Sequence, residues 1–177
     1  MSQVTIRPSV QADVKEFLRI EKENFSDPWS RAVFLATLIN PRYINLTAIL
    51  KNDVANVATA DVGSGTYPTD EIARDEIAVD EIVGFLCLAV IADEGHIDNV
   101  SVSKTCRRQG IGERMLSEAM RLGAEKGVTS FTLEVRTGNA SARALYEKSG
   151  FVCEGIRKKY YDHPAEDAAI YWKRESL

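Results

Sequence analysis

Two periodicities alternate along this chain of 177 residues, one typical of strands and the other of helices. Alternating or continuous apolar runs predict strands at residues 4–7, 43–50, 82–91, 96–103, 130–135, 151–161 and 168–173. Apolar residues three and four positions apart predict helices that begin after Asp13, Ser30, Gly110 and Asn139. The run 82–91 is apolar almost throughout, as in a central strand covered on both faces, and Glu94-Gly95 is the predicted turn after it. This order indicates a mixed α/β fold.

The segment from about residue 54 to 80 shows neither periodicity. Its stretch GSGTYPTD is rich in turn-forming residues, and acidic residues surround a single arginine, Arg74. We therefore predict one domain over residues 1–177 that carries an acidic loop or insertion at about 54–80.

Composition narrows the class of protein. Twenty-six acidic and 22 basic residues give a net charge of −4, which argues against direct binding of nucleic acid through neutralised phosphates. The three cysteines, Cys87, Cys106 and Cys153, are far apart and have no histidine pair near them, so we expect neither a disulfide framework nor a metal site. The chain shows no leader pattern and no apolar run of about 18 residues, so we expect a cytoplasmic protein without a membrane partner.

The sequence RRQGIG, which connects the strand 96–103 to a helix, is the first candidate ligand site. Glycines at 110 and 112 let backbone amides face outward at a helix N-terminus, where partial positive charge favours a pyrophosphate. A P-loop is not expected because no Gly-Lys-Ser/Thr follows, and Met115 stands where the dinucleotide motif G-x-G-x-x-G needs a glycine. A simple tight turn flanked by solvated arginines is the alternative.

The second candidate site combines the strand LEVR with the short helix after it. Glu134 points to the face opposite Leu133 and Val135, and Tyr146 lies in the helix that Asn139 is predicted to cap. A solvated carboxylate on an ordinary strand and a core tyrosine are the alternatives at these two positions.

The order HIDNVSVSKTCRRQGIG, LEVRTGNASARALYEKSGF and IRKKYY resembles the GCN5-related N-acetyltransferases (GNAT), most closely the bacterial ribosomal-protein-alanine N-acetyltransferase (RimI) subfamily. The resemblance covers nearly the whole chain and includes FSDPWS, which is similar to that subfamily's aromatic segment between the first two helices. The segment 54–80 departs from it by its length. The resemblance implies a mostly antiparallel sheet of about six or seven strands flanked by about four helices, with acetyl-CoA as cosubstrate and no metal.

The resemblance also implies roles for individual residues. Acetyl-CoA would contact the fourth strand, the glycine loop and the start of the last helix, at Val100, Ser101, Val102, Arg107, Arg108, Gln109, Gly110, Ile111, Gly112, Glu113 and Asn139. Glu134 would be the proton acceptor and Tyr146 the proton donor. The regions that shape an acceptor peptide groove match Pro28, Trp29, Tyr160 and Tyr161.

These roles suit acetyl transfer to an amine. An α-amine has a pKa near 8 and is mostly protonated at neutral pH, so a carboxylate must receive its proton before it attacks the thioester directly. We therefore expect an enzyme that acetylates a protein N-terminus, the N-terminal alanine of a ribosomal protein. The alternatives are a GNAT enzyme that acts on a small-molecule amine or a lysine side chain, and a non-catalytic acyl-CoA-binding module.

Overall fold

A computed structural model describes residues 3–51 and 80–174, so the predicted acidic insertion lies outside the described residues, except for Asp80. In those ranges the strands are β1 (Gln3–Pro8), β2 (Tyr43–Lys51), β3 (Glu81–Ile91), β4 (Glu94–Val102), β5 (Ser130–Arg136), β6 (Val152–Asp162) and β7 (Ala165–Arg174). The α-helices there are α1 (Val14–Asn24), α2 (Arg31–Ile39), α3 (Ile111–Glu125) and α4 (Ala140–Lys148).

The strands form one sheet in the order β1-β2-β3-β4-β5-β7-β6. Every neighbouring pair is antiparallel except β4 and β5, which are parallel. This confirms the predicted mixed and mostly antiparallel sheet. The parallel pair also confines the site, because parallel strands present their carboxyl ends, and the helices that follow them, at the same edge.

Each face of the sheet is covered by its own apolar cluster. On one face α1 and α2 pack Phe17 and Phe34 against Phe85 of β3, while Leu86 joins the larger cluster beneath α3 on the opposite face. Phe85 and Leu86 are both fully buried, so β3 is covered on both faces, as its continuous apolar sequence predicted.

All four helices begin directly after the predicted residues, but only two of the three predicted side-chain caps are formed. The Ser30 side chain accepts a hydrogen bond from Val33 N, and the Asn139 side chain accepts one from Ala142 N. The backbone of Gly150 is left-handed after α4. Asp13 differs: its carboxylate accepts from Arg7, the Thr47 hydroxyl and the Val10 amide, not from the first amides of α1. Burial raises the pKa of Asp13, but these hydrogen bonds outweigh burial and hold it below its usual range.

The predicted turn at Glu94-Gly95 is wrong by two residues. The turn is Ala92-Asp93, where Ala92 takes a φ of 55°, and β4 already includes Gly95. Gly95 is needed inside the strand because a Cβ there would lie 2.6 Å from the Phe131 ring. The glycine therefore serves side-chain packing and not a turn.

Candidate active site

The site is a gap between β4 and β5. The two strands pair only over three positions, Glu94–His96 with Ser130–Thr132, and the register ends there. At this closed end the Phe131 ring packs where Cβ atoms on Gly95 and Gly123 would stand, at 2.6 and 2.9 Å. Beyond it the strands separate, so each has one sheet neighbour in the described part of the chain, β3 for β4 and β7 for β5. The separation leaves backbone groups of both strands free to meet a ligand.

The open end of the gap faces the N-termini of α3 and α4, since both helices follow the carboxyl ends of these strands. In the described ranges, no hydrogen-bond acceptor is present for the backbone amides from Arg107 to Glu113. Gly110, the N-cap residue directly before α3, has a φ of 75°, and a Cβ at this position would meet no atom within 4 Å. A run of free amides at a helix N-terminus, beside a glycine with open space around it, fits a pyrophosphate group.

The side chains near this loop are already held within the protein. Asn24, the last residue of α1, donates to the Val102 carbonyl at 3.0 Å and to the Ser101 hydroxyl at 2.6 Å. Arg107 donates to the same carbonyl at 3.4 Å and contacts Asn24. The carboxylate of Glu113 accepts from Lys148 Nζ at 2.6 Å. The Glu113 side chain is thus neutralised, and its backbone amide is the group available to an anion.

Glu134 lies on β5 where the strand has left β4, and 28% of its side chain is exposed. Its Oε1 atom lies 3.2 Å from Nη1 of Arg157 on β6, a partner that sequence analysis did not identify. The Arg157 guanidinium also lies 5.1 Å from the centre of the Tyr160 ring. Arg157 is half exposed, so it can leave this ion pair when another cation approaches Glu134.

Tyr146 is buried in α4, with its ring 6.1 Å from the rings of Phe151 and Tyr171. Within the residues that the structure describes, its hydroxyl makes no hydrogen bond. Burial raises the pKa of Tyr146, and the charge of Tyr161 adds to the effect. Burial likewise raises the pKa of Tyr161 to about 12, with a contribution from Glu134. Tyr146 is therefore a buried hydroxyl that stays protonated, and it packs in the apolar cluster that also holds Leu133 and Val135.

The two groove residues from FSDPWS differ in burial. Pro28 is exposed, whereas the Trp29 ring packs 5.4 Å from that of Phe34 and its amide donates to Glu21 at 3.0 Å. Glu21 is buried, and burial raises its pKa against the opposing hydrogen bonds from Trp29 and Asn99. Trp29 therefore fixes the α1–α2 segment to the body of the protein.

Two segments contact each other beside Arg136, and sequence analysis missed these contacts. They are the segment between α1 and α2 and the turn between β6 and β7, which we call the two walls. Ser26, in the segment between α1 and α2, donates to the carbonyl of His163 in the turn between β6 and β7, at 2.5 Å. Arg136, two residues beyond Glu134, donates to the same carbonyl at 3.0 Å and lies 4.1 Å from the centre of the Tyr161 ring. The LEVR motif contained this arginine, but its partners are distant in sequence.

The described residues hold neither a membrane-spanning helix nor a metal-binding cluster. None of the helices in ranges 3–51 and 80–174 is both long and apolar enough to cross a membrane. In the same ranges, histidine, cysteine and acidic side chains form no group of three that could hold a metal ion.

Comparisons with known proteins agree with this geometry. Residues 14–151 match the family described as acetyltransferase (GNAT) family. The ribosomal protein bS18-alanine N-acetyltransferase of Haemophilus influenzae is 31% identical over 86% of this chain and 84% of its own length, and that of Escherichia coli is 29% identical over 94% of both. A crystal structure of the ribosomal-protein-S18-alanine N-acetyltransferase from Escherichia coli superposes with a TM-score of 0.74 at 27% identity, covering 99% of this chain and 96% of that one. The chain therefore belongs to the acetyltransferase (GNAT) family.

Proposed function

We propose that this protein transfers the acetyl group of acetyl-CoA to the α-amine of a protein N-terminus, and that its acceptor is the N-terminal alanine of ribosomal protein bS18 in the cytoplasm. The observation that carries the proposal is the placement of Glu134 on the free edge of β5, facing a gap that leads to the amides before α3. The names of the similar proteins support the choice of acceptor.

Acetyl-CoA fits the gap as an extended ligand. The β4 edge at Val100 to Val102 has no β5 partner, so its backbone can bind a chain of amides as an added strand would, except at the Val102 carbonyl, which already accepts from Asn24 and Arg107. The amides from Arg108 to Gly112 suit the pyrophosphate. When bound, acetyl-CoA supplies a thioester whose carbonyl carbon the acceptor amine attacks.

Glu134 receives the proton that the acceptor amine must lose. The incoming α-amine is a cation at neutral pH, because its pKa is near 8, so it competes with the half-exposed Arg157 for the carboxylate. Glu134 takes the proton directly or through a water molecule, which leaves the amine neutral and nucleophilic.

Tyr146 supplies a proton to the sulfur that departs. The raised pKa keeps its hydroxyl protonated at neutral pH, and in the described part of the chain no internal acceptor holds that proton. A thiol has a pKa of about 8.5, below the raised pKa of Tyr146, so the hydroxyl assists mainly by donating a hydrogen bond to the sulfur as negative charge develops there, and a proton that it gives up returns to it from solvent. Tyr146 therefore acts as the general acid while Glu134 acts as the general base.

Release of CoA from acetyl-CoA, measured with short peptides, tests the proposal. A peptide that starts with alanine and contains one lysine should be acetylated at its α-amine, and the same peptide with a blocked N-terminus should be inert. The rate should rise with pH through about 7 to 8 as the free amine becomes the main species. Equal rates for the two peptides would instead assign the activity to lysine, and a pH-independent rate would argue against proton removal by Glu134.

A further inference from the structure

Arg136 makes more contacts between separate segments than its position at the end of a strand requires. Its Nη1 atom donates to the carbonyl of Pro164 at 2.9 Å and to Glu166 at 3.2 Å, and its Nη2 atom donates to the carbonyl of His163 at 3.0 Å. The guanidinium also covers the Tyr161 ring. Only 23% of the side chain is exposed, so these contacts are partly shielded from water.

The partners of Arg136 are themselves fixed. Glu166 accepts from the amide of Gly138 at 2.6 Å, and this hydrogen bond, together with Arg136, lowers the pKa of its carboxyl group. The carboxylate is therefore charged at neutral pH and holds the guanidinium in one orientation. Planar geometry lets a single arginine reach Glu166 and both backbone carbonyls, which a lysine cannot do.

The second wall is attached at the same point. Ser26 Oγ lies 3.5 Å from Nη2 of Arg136 and donates to the carbonyl of His163 at 2.5 Å. The α1–α2 segment and the β6–β7 turn thus touch each other directly over Arg136. Residues two apart on a strand project from the same face, so this junction lies one step along β5 from Glu134.

We propose that Arg136 is a positioning residue that joins the two walls of the acceptor groove and thereby restricts the acceptor's first side chain to a small one. This rests on the proposed function, since it assumes that a peptide N-terminus reaches Glu134 between these walls. A bulky first side chain has to part the walls, which breaks the contacts of Arg136 and Ser26 with His163. A small side chain such as that of alanine leaves them intact.

The matched control is Arg174 at the other end of the β6–β7 pair. Arg174 also combines an ion pair, with Glu154, and a cation–π contact, 4.6 Å from the centre of the Trp172 ring. Within residues 3–51 and 80–174 its side-chain partners lie on β6 and β7 alone, so it joins no separate segments of the groove there. Arg136→Gln and Arg174→Gln therefore remove similar interactions, but only the first releases the two walls.

The test measures kcat and KM for peptides that start with alanine or leucine. Arg136→Gln should lower the ratio of kcat/KM for alanine over leucine by about tenfold, through KM for the peptides, with KM for acetyl-CoA unchanged. Ser26→Ala, a mild change at an exposed residue, should lower the ratio by about threefold. Arg174→Gln should leave it unchanged, and Arg136→Lys should not restore the wild-type ratio. A parallel fall in all rates, or full rescue by lysine, would overturn the proposal.

Hydrogen exchange gives a readout that is independent of activity. In Arg136→Gln the segments 25–30 and 162–166 should both exchange faster than in the wild type, and in Arg174→Gln they should not. Unchanged exchange in both segments would show that Arg136 does not join them. If the wild type acetylates no free α-amine, the proposed function fails, while the exchange result still decides whether the walls are joined.

Discussion

The two ends of the β4–β5 gap are built from the same pair of strands but by opposite means. At the closed end, glycines let the Phe131 ring approach the backbone to within van der Waals distance, and the strands pair. At the open end, pairing stops, and polar groups such as Glu134 line the edge. Packing and pairing thus hold the two strands together at one end, and unpaired backbone groups remain at the other end, where we propose that acetyl-CoA binds. Changes at the closed end should affect stability, and changes at the open end should affect binding and rate.

The largest effect is expected from Glu134→Gln at the open end. Loss of a general base lowers turnover by roughly 100-fold or more, while acetyl-CoA affinity and the free energy of unfolding change little. Steady-state kinetics and isothermal titration with acetyl-CoA measure the two quantities. The control is Glu154→Gln, an exposed carboxylate that pairs with Arg174 on the outer strand. Near-normal turnover of Glu134→Gln would show that Glu134 is an ordinary solvated carboxylate on a strand and not a general base.

Gly110→Val should abolish the rise in melting temperature that acetyl-CoA produces. A ligand at 100 times its Kd stabilises the native state by about 2.7 kcal/mol, and a side chain at position 110 projects into the open space before α3. Gly127→Val is the matched control, because Gly127 also has a left-handed backbone, with a φ of 88°, and equally open surroundings. Both variants carry the same strain, so a retained ligand shift in Gly110→Val would exclude this loop as the pyrophosphate site.

Gly95→Ala tests the closed end. Its Cβ would lie 2.6 Å from Phe131, and the overpacking should lower the free energy of unfolding by about 2 kcal/mol with no change in acetyl-CoA affinity of the folded protein. Gly155→Ala provides the comparison, because the nearest atom to its Cβ is 3.9 Å away in Ile170. Urea denaturation gives the stabilities. If Gly95→Ala and Gly155→Ala are equally stable, packing of Phe131 against Gly95 does not stabilise the closed end, and the two ends do not differ as described.

The smallest effect is expected at Glu21, a buried carboxylate that accepts a hydrogen bond from Asn99 of β4. It concerns how the free energy of unfolding depends on pH. The pKa of Glu21 is raised in the folded state, so its stabilising contribution is complete below its unfolded pKa and is lost as pH rises through the folded pKa. Glu21→Gln should remove this loss and raise the free energy of unfolding by about 1 kcal/mol at pH 7 to 8, since its amide can donate to the buried and unpaired Oδ1 of Asn99. Denaturation series from pH 4 to 8 measure it, and a variant less stable than wild type at pH 8 would contradict it.

Asp13→Asn is the counterpart of opposite sign. The folded-state pKa of Asp13 is lowered, so its contribution is present above the unfolded pKa and is lost as pH falls through the folded value. The variant should be less stable than wild type at neutral pH, with the difference shrinking in acid. If both substitutions change the free energy of unfolding in the same direction at neutral pH, the two carboxylates do not differ in the way that their hydrogen-bond partners indicate.

The sequence predicted what depends on local pattern. Ser30 and Asn139 cap helices, because the side chain and amide that meet are three residues apart. The sequence misplaced the turn after β3, because a glycine can mark either a turn or a site where another group approaches the backbone closely. Gly95 is a site of close approach.

Within the candidate site, the limit of prediction was distance along the chain. The resemblance pointed to Glu134 and Tyr146, but it could not identify Arg157 as the ion partner of Glu134 or Ser26 as a contact of Arg136, which is 110 residues away in sequence. Such pairs exist only once the sheet brings β5, β6 and the α1–α2 segment together.

The strands β4 and β5 stop pairing after three positions, and this also affects the solubility of the protein. An unpaired strand edge is a template for aggregation, and this sheet has two outer edges, β1 and β6, besides the inner ones. The outer edges are blunted, β1 by its six-residue length and β6 by the charged run Arg157 to Lys159 and an irregular register. The inner edges face each other across the gap, so a foreign strand can reach them only from within it. We therefore expect the inner edges to promote aggregation less than outer edges of the same length would, although they keep the hydrogen-bonding groups that the proposed ligand needs.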